Sequence, residues 1–397
     1  MSNSQQNGAI LIVVLWFIVI VTIMVATLSS ETRLSTKIVF YNKMGLQTWN
    51  DTLAALRAAE MELLINKMPD PPGTEEDIDL SLRRDKKFRF NGEVLELAYP
   101  SPETVNVRIY NNAGKINIQK LSKAKVRELL EMFVGMEDLE RLTTLENAWQ
   151  DWIDKDDMPR LDGAEKDYYE GLTPPYEPRN APIETVSEVL LIKGFDEVFK
   201  DIEMENVFTV YGGTVDGINP NFASREALML LPGMDTSIID RIMTVRRVKE
   251  IKSVKDFAFL VEPEQMALFR SWVKFSTSNF YTIAIQTKPV AEIAAIQAKK
   301  AEEQEQEVEE ANELEPEIDD PFHIPASTSE KQSAYMVTIQ PKGNNQLPII
   351  YKVNPYGVLP DTRHEHIPIE RLQEMLENGM LELEGAEFNG GGSSMPF

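Results

Sequence analysis

Twenty consecutive residues, Ala9 to Leu28, carry no charge and include only two polar side chains, Thr22 and Thr27. The first charged residue of the chain is Glu31. A helix of that length runs about 30 Å, the thickness of the hydrocarbon core of a bilayer. The run therefore constrains everything downstream: the rest of the chain folds at a membrane surface or after passing through one. A secretory signal peptide has a shorter apolar core followed by a small-residue cleavage site. This run is longer, and Ala26-Thr27-Leu28-Ser29-Ser30 is a poor site of that kind. A plain single-span anchor accommodates it equally well.

The residues before and after the run narrow the choice. A short polar leader, MSNSQQNG, ends in Gly8 at the edge of the apolar segment. That is the arrangement of a prepilin-type leader, in which cleavage between Gly8 and Ala9 leaves Ala9 as the new N-terminus. Beyond the run, residues 31–66 contain no proline and one glycine, Gly45. Leu34, Ile38, Tyr41, Gly45, Thr48, Thr52 and Ala55 recur at spacings of three and four, and residues 54–65 are rich in strong helix formers. The pattern predicts one continuous helix over 9–66, lipid-length in its first part and a stalk in its second. Arg33, Lys37 and Lys43 follow the span, which by charge counting would hold its C-terminal side in the cytoplasm. Long domains, however, translocate largely regardless of such counts.

Of 397 residues, 40 are basic and 64 acidic, a formal net charge of −24. Such a surface argues against a general nucleic-acid binder. Cysteine is absent, which excludes disulfides and thiolate metal sites. The three histidines, His323, His364 and His366, all fall late in the chain. A histidine-based hydrolytic site in the body is therefore not expected.

After the stalk, Pro69-Asp70-Pro71-Pro72-Gly73 interrupts the helix and short alternating runs begin. Phe88 and Phe90 precede Asn91-Gly92, and residues 94–98 follow, which reads as a hairpin turning on Asn-Gly. Val105, Val107 and Ile109 alternate up to Asn111-Asn112. The middle of the chain holds an internal repeat. KINIQKLSKAKVRELL from Lys115 and GINPNFASREALMLL from Gly217 align on Asn117 and Asn219. Each has a polar cap, Ser122 or Ser224, and a helix ending in Leu-Leu. Each runs into a glycine turn followed by an acid: Gly135 with Glu137, and Gly233 with Asp235. A third copy is Gly194 with Asp196, after a helix expected over 185–192. Helix, glycine turn, helix is the helix-hairpin-helix pattern. Arg241, Arg246, Arg247, Lys249, Lys252 and Lys255 could serve phosphate binding. Asp216, Glu226, Asp235, Asp240, Glu250 and Asp256 in the same stretch oppose it. A packing or partner-docking use of the hairpins is the reading adopted.

Between the hairpins lies the segment with the most chemistry. Asp151, Asp154, Asp156, Asp157, Asp162, Glu165 and Asp167 place seven carboxylates in seventeen residues. Asp154, Asp156, Asp162 and Glu165 occupy positions 1, 3, 9 and 12 of a twelve-residue window, which are oxygen-ligand positions of a calcium loop. Met158 at position 5 and Pro159 at position 6, where such a loop needs glycine, depart from an EF-hand. So many like charges repel unless compensated, and a hard divalent cation, Ca²⁺ outside the cytoplasm, compensates them. The alternative is a solvated acidic loop with Lys155, Arg160 and Lys166 as partners. Asp154, Asp156, Asp157, Asp162 and Glu165 are the candidate metal ligands.

With these segments in view, the chain resembles the K-type minor pseudopilins of type II secretion systems, the general secretion pathway protein K family. The resemblance rests on the leader and stalk and on four stretches: GKINI at 114–118, WIDKDDMPRLDGAEKDYY at 152–169, PPYEPRNAPIETVSEVLLIKG at 174–194 and VYGGTVDGINPNFASREALMLLPG at 210–233. It extends over roughly residues 1–290. It implies an α+β fold: a transmembrane stalk helix packed on a pilin-like antiparallel sheet, with a large inserted α-helical (helix-hairpin-helix, SAM-like) domain. It implies a place at the tip of a short pseudopilus beside I- and J-type minor pseudopilins and the major pseudopilin. It also implies processing by prepilin peptidase and calcium in the inserted domain. Most pilin-like proteins carry Glu at the fifth mature position; members of this family typically lack it, and this chain has Val13.

The expected boundaries are leader 1–8, stalk 9–66, first sheet part 67–115, inserted domain 116–275 and a strand within 276–290. A disordered acidic insert follows over 291–333, then returning strands over 334–353 and a C-terminal extension over 354–397. Residues 292–320 hold twelve acidic residues against two lysines, and a helix is expected over 369–378. The function the resemblance implies is non-catalytic: capping and initiating a secretion pseudopilus from the inner membrane, with the C-terminal domain in the periplasm. A minor pilin at a type IV pilus tip, touching surfaces or DNA, is the alternative. An enzyme using the acidic cluster on a metal is a third reading, opposed by the lack of a nucleophile–base pair nearby.

Overall fold

A computed structural model describes residues 6–68, 89–212, 216–257, 261–289, 292–293, 295–296, 333–342 and 346–361. Residues 1–5 of the leader, Phe88, most of the acidic insert, the helix expected over 369–378 and the tail lie outside the described residues.

The expected long helix is present as α1, Gln6–Lys67. The segment up to Ala54 forms a unit of its own. Its apolar side chains from Ile12 to Leu28 are exposed. The two threonines inside the apolar run turn their hydroxyls back onto the helix, Thr22 Oγ1 donating to the Ile18 carbonyl at 2.7 Å and Thr27 Oγ1 to the Met24 carbonyl at 2.9 Å. No hydroxyl of the run is thereby left unsatisfied, as a hydrocarbon environment requires. Among the described residues, α1 is the helix long and apolar enough to cross a membrane.

From Ala55 onward the chain is a second unit that mixes helices and sheet. The strands are β1 (Asn91–Val94), β2 (Val105–Asn111), β3 (Ile116–Asn117), β4 (Phe208–Thr209), β5 (Tyr281–Thr287), β6 (Ser333–Gln340) and β7 (Ile349–Val358). The helices are α2 (Lys123–Val134), α3 (Leu139–Ile153), α4 (Lys166–Glu170), α5 (Phe195–Val198), α6 (Met204–Val207), α7 (Arg225–Met229), α8 (Thr236–Val248), α9 (Val254–Phe257) and α10 (Pro263–Phe269). A five-stranded antiparallel sheet has the order β1-β2-β5-β6-β7, and β3 pairs with β4 in a parallel two-stranded ribbon.

Alternation along the strands decides which face of the sheet is covered. Val105, Val107 and Ile109 of β2, Tyr281, Ile283 and Ile285 of β5, and Val337 and Ile339 of β6 share one face. Ile109 stands opposite Ile283, and Ile283 opposite Val337, so the apolar side chains lie in a row across the strands. Ala55, Leu56, Ala58, Ala59 and Leu63 of α1 fill this face. The small alanines let the helix lie close, and each buried leucine contributes about 1.5–3 kcal/mol. Buried Glu62 pairs with Arg89 and accepts from the Ala98 N–H at 2.6 Å, which ties the end of α1 to the chain around β1.

Asn91-Gly92 does not make the expected hairpin turn. Both residues are inside β1, where the register slips between Asn91 and Val94. Gly92 has φ +92, and a Cβ on it would come within 2.1 Å of the Tyr110 ring. The glycine therefore serves a bulge and the close approach of a cross-strand aromatic ring, and the reversal falls in residues 95–104. At the other edge β7 runs to Val358, so residues 354–358, expected in the C-terminal extension, are strand.

Asn111 and Tyr281 are paired neighbours, so everything between them leaves the sheet and re-enters it at one point. The exit is clasped by buried asparagines. Asn111 Oδ1 accepts from the Ser278 N–H at 3.0 Å and the Ala113 N–H at 2.9 Å, while its Nδ2 donates to the Ser278 carbonyl at 3.0 Å. Asn112 N–H donates to the Phe280 carbonyl, and its Oδ1 accepts from Thr282.

The intervening segment holds its own core, from Ile116 and Trp152 to Ile242 and Trp272. The internal repeat is visible atom for atom. Asn117 Oδ1 accepts from the Gln119 N–H and Ser122 caps α2; five-residue spacing recurs as Asn219 Oδ1 accepts from the Asn221 N–H and Ser224 caps α7. The two helices end differently: α2 continues past Leu130 to Val134, and α7 stops at Met229. Gly135, Gly194 and Gly233 all have positive φ, at 86°, 78° and 75°. Asp138 caps the helix after Gly135, and Asp235 caps the helix after Gly233. The segment expected as a helix over 185–192 is a 3-10 helix, Val186–Leu191. Of the basic cluster, Arg246 is buried and donates to the Pro220 and Ala223 carbonyls, and buried Arg247 pairs with Glu93. Those two cations hold the fold together.

Removing the clasp tests this architecture. Asn111→Ala strands a buried N–H and a buried carbonyl of Ser278, a cost of about 2–4 kcal/mol. We expect the melting temperature of the detergent-solubilised chain to fall by at least about 4 °C. A melting curve unchanged within error would show that the exit needs no clasp.

Candidate metal centre

α3 is capped by Asp138, whose carboxylate accepts from the Arg141 N–H at 3.1 Å. Its buried face carries Leu142, Leu145, Ala148, Trp149 and Trp152 at helical spacing. Packing of that face fixes the direction in which the last turn points. Trp152 meets Tyr169 of α4 edge to face at 5.1 Å, Tyr169 packs against Tyr176 at 5.2 Å, and the Asn180 N–H donates to the Trp152 carbonyl. Trp152 Nε1 donates to Glu188 at 2.9 Å. This aromatic cluster holds together the two ends of the acidic loop, which runs from Asp154 at the end of α3 to Glu165 at the start of α4.

Three carboxylates meet there. Asp151, Asp154 and Glu165 each place one oxygen within 4.8 Å of the others. Asp151 is fully buried. It accepts from the Ala164 N–H at 2.9 Å and from Arg160, through the backbone N–H and through Nη1 at 2.6 Å. Arg160 Nη1 also pairs with Asp154. Gly163 is required by this geometry, because a Cβ on it would lie 1.9 Å from Asp151 Oδ2. Glu165 is 4 % exposed, and neither of its carboxylate oxygens has a hydrogen-bond partner; Asp154 Oδ1 and Asn180 Oδ1 are buried in the same condition. Burial, followed by the charges of Asp151, Asp154, Asp157 and Asp156, pushes the Glu165 carboxyl up to about 7. A buried carboxylate among like charges, with two unsatisfied oxygens, is an arrangement that a cation would relieve.

The calcium-loop numbering is only partly realised. Asp154 and Glu165, its first and last positions, come together. Asp156 and Asp162 do not join the cluster, nor does Asp157. Asp156 Oδ1 accepts from the Met158 N–H in a local turn, and Asp157 accepts from Asn180 Nδ2 at 2.8 Å. Asp162 has φ 57°, and its backbone carbonyl accepts from Lys193. With proline at position 6, the loop makes its sharp turn at Asp162-Gly163 instead, where Gly163 N–H donates to the Arg160 carbonyl. Asp151 enters in place of the loop aspartates. The helical spacing of Asp151 and Asp154, three residues apart, puts both on one side of the last turn of α3. That spacing was the signal available in the sequence.

The family model described as Type II secretion system (T2SS), protein K matches residues 106–201, which run from β2 through α5 and include the whole carboxylate cluster. The chain is 26% identical over 290 residues to the type II secretion system protein K of Klebsiella pneumoniae, covering 70% of this chain and 87% of that one. It is 27% identical over 209 residues to the protein K of Pectobacterium carotovorum subsp. carotovorum, covering 49% and 60%. Among solved structures it is similar to a chain in the crystal structure of the GspK-GspI-GspJ complex from the enterotoxigenic Escherichia coli type 2 secretion system. That likeness has 14% identity, covers 82% of this chain and 98% of that one, and has a TM-score of 0.44. Residues 106–201 thus carry a domain of the protein K family, in agreement with the resemblance drawn from the sequence motifs.

The orphaned carboxylate gives a measurable pH dependence. Glu165 titrates at about 7 in the folded chain, against an ordinary value near 4.5 that it regains on unfolding. Between those pH values the folded state holds the extra proton, so stability falls as pH rises from about 4.5 through about 7. In chelator, Glu165→Gln should flatten that slope and raise the melting temperature at pH 7.5 by about 2–4 °C. Identical slopes for the two proteins would mean that Glu165 ionises without penalty.

Proposed function

We propose that the chain is a non-catalytic minor pseudopilin that caps and helps initiate the pseudopilus of a type II protein secretion system. One observation carries this reading: a single helix, α1, contains both an apolar run of bilayer length and the residues that fill the sheet's core. The match to the protein K family model begins in β2 and continues into the segment that leaves that sheet at Asn111 and re-enters it at Tyr281. We read the architecture as a pilin-like sheet with an inserted helix-hairpin-helix, SAM-like domain. The anchor would sit in the bacterial inner membrane, with the C-terminal domain in the periplasm. Prepilin peptidase would cut between Gly8 and Ala9. Partners would be the I- and J-type minor pseudopilins, counterparts of GspI and GspJ, and the major pseudopilin. Leu34, Ile38 and Leu46, exposed on α1 beyond the apolar run, supply an apolar stripe for neighbouring stalks.

Val13 bears on position in the fibre. A glutamate at the fifth mature position can pair with the N-terminal amine of a neighbour, and an unpaired charge in lipid is costly. A subunit at the tip has no neighbour above it to pair with, so valine is tolerated there and nowhere along a shaft. The experiment is to overproduce the pseudopilus with this chain tagged. We expect chain extracted from membranes to start at Ala9 and Gly8→Trp to remain uncleaved. Immunogold label should mark one end of each fibre, and excess of the chain should shorten fibres. Label spread evenly along the shaft would overturn the tip assignment.

We further propose that Asp151, Asp154 and Glu165 hold a calcium ion that organises the loop, with a structural purpose. The three orphaned buried oxygens of Glu165 and Asp154 favour this over a solvated acidic loop. Calcium takes six to eight oxygens, so backbone carbonyls and water would complete the shell. A ligand that binds only the folded state stabilises it by about 2.7 kcal/mol at one hundred times its dissociation constant. Calcium should therefore raise the melting temperature of the detergent-solubilised chain at pH 7.5 by several degrees, less so at pH 5.5. Asp154→Ala with Glu165→Gln should abolish the increase. An increase that survives both substitutions would place the ion elsewhere.

A further inference from the structure

A second polar site lies away from the carboxylate cluster, where the helical segment faces the sheet. A cavity of about 220 Å³ is bounded by Lys115 ahead of β3, Thr185, Glu205 of α6, Thr209 of β4, and Tyr351 and Lys352 of β7. Val186, Phe208 and Val210 supply an apolar wall. The charges in it do not balance. Lys352 Nζ pairs with the Glu205 carboxylate, while Lys115 Nζ donates to the Glu205 backbone carbonyl at 2.5 Å. Two ammonium groups thus stand by one carboxylate, which only Lys352 engages directly. Glu184, whose charge is felt at Tyr211 of the lining, is engaged by Arg179 at 2.5 Å. Withdrawal from water, opposed by Glu205 and reinforced by Lys352, pushes the Lys115 amine down to about 8. An ammonium held under such conditions is stabilised by a second anion. Tyr211, packed on Tyr351 at 5.4 Å, and Thr185 also line the cavity and carry hydroxyls that can donate.

We propose that this cavity is a binding site for a carboxylate, seated between Lys115 and Lys352 with its aliphatic body against Val186 and Val210. Charge sets the sign of the ligand. The apolar wall favours an organic carboxylate over chloride, and two ammonium groups at half-buried positions favour a bidentate contact. The carboxylate could belong to a free small acid or to an acidic side chain of a partner peptide, and the chemistry is the same in both.

The test titrates the detergent-solubilised full chain with succinate, with the peptide amide acetyl-Ala-Asp-Ala-NH₂, and with sodium chloride at matched ionic strength, reading melting temperature and calorimetric heat. We expect a saturable response to succinate, to the peptide or to both. The effective probe identifies the source, with chloride giving no saturation. Lys352→Met, at the more exposed rim, should weaken binding about tenfold, and Lys115→Met should abolish it. If Lys115→Met does not fold, Lys352→Met decides alone. Absence of saturation with both carboxylates, or equal affinity in Lys352→Met, would overturn the proposal.

Discussion

The architecture depends on the point where the chain leaves the sheet. Asn111 ends β2, Asn112 follows it, and Tyr281 begins β5 directly alongside. A long excursion between adjacent antiparallel strands is tolerable because the entropy of closing a loop grows only slowly with its length. It becomes specific because the side chain of Asn111 satisfies one N–H and one carbonyl of Ser278 at the return. Without that pairing, buried backbone groups at the neck would be unsatisfied. With it, the sheet keeps its register across β2, β5 and β6 and the helical segment is free to elaborate.

The helical segment uses its charges in two ways. Arg246, Arg247 and Lys125 are withdrawn from the surface to satisfy backbone carbonyls and single acids. The acidic loop does the opposite and concentrates negative charge. Arg160 serves Asp151 and Asp154 together, and Glu165 is left buried with neither oxygen hydrogen-bonded. Carboxylates perturbed in that way cluster at functional sites. The cavity at Lys115 and Lys352 is the acidic loop's counterpart, with positive charge in excess.

Much of this was legible residue by residue. The absence of proline from 31–66 and the spacing of its apolar residues gave α1 to within a residue or two of its end. The alternation of Val105, Val107 and Ile109 gave β2 and the face it buries. Asn117 with Ser122, and Asn219 with Ser224, gave both caps of the repeat, because a side chain that bonds the backbone two or three residues on acts locally. Asn91-Gly92 misled for a related reason. The pair specifies a left-handed conformation, but whether that conformation reverses the chain or bulges a strand is decided by what stands across from it, here the Tyr110 ring.

The sequence by itself determined the membrane-length helix, the strands with one buried face, the glycine turns and the concentration of carboxylates, since each follows from local periodicity, local conformational preference or simple charge. Only the tertiary structure decided which carboxylates meet. Asp156, Asp157 and Asp162 lie close in sequence to Glu165 yet do not join it, whereas Asp151 does, because packing of Trp152 on Tyr169 aims the end of α3 at the start of α4. The pairing of Asn111 with Ser278 and the meeting of Lys115 with Lys352 are likewise tertiary: they join residues far apart in the chain, whose approach depends on the packing of whole elements.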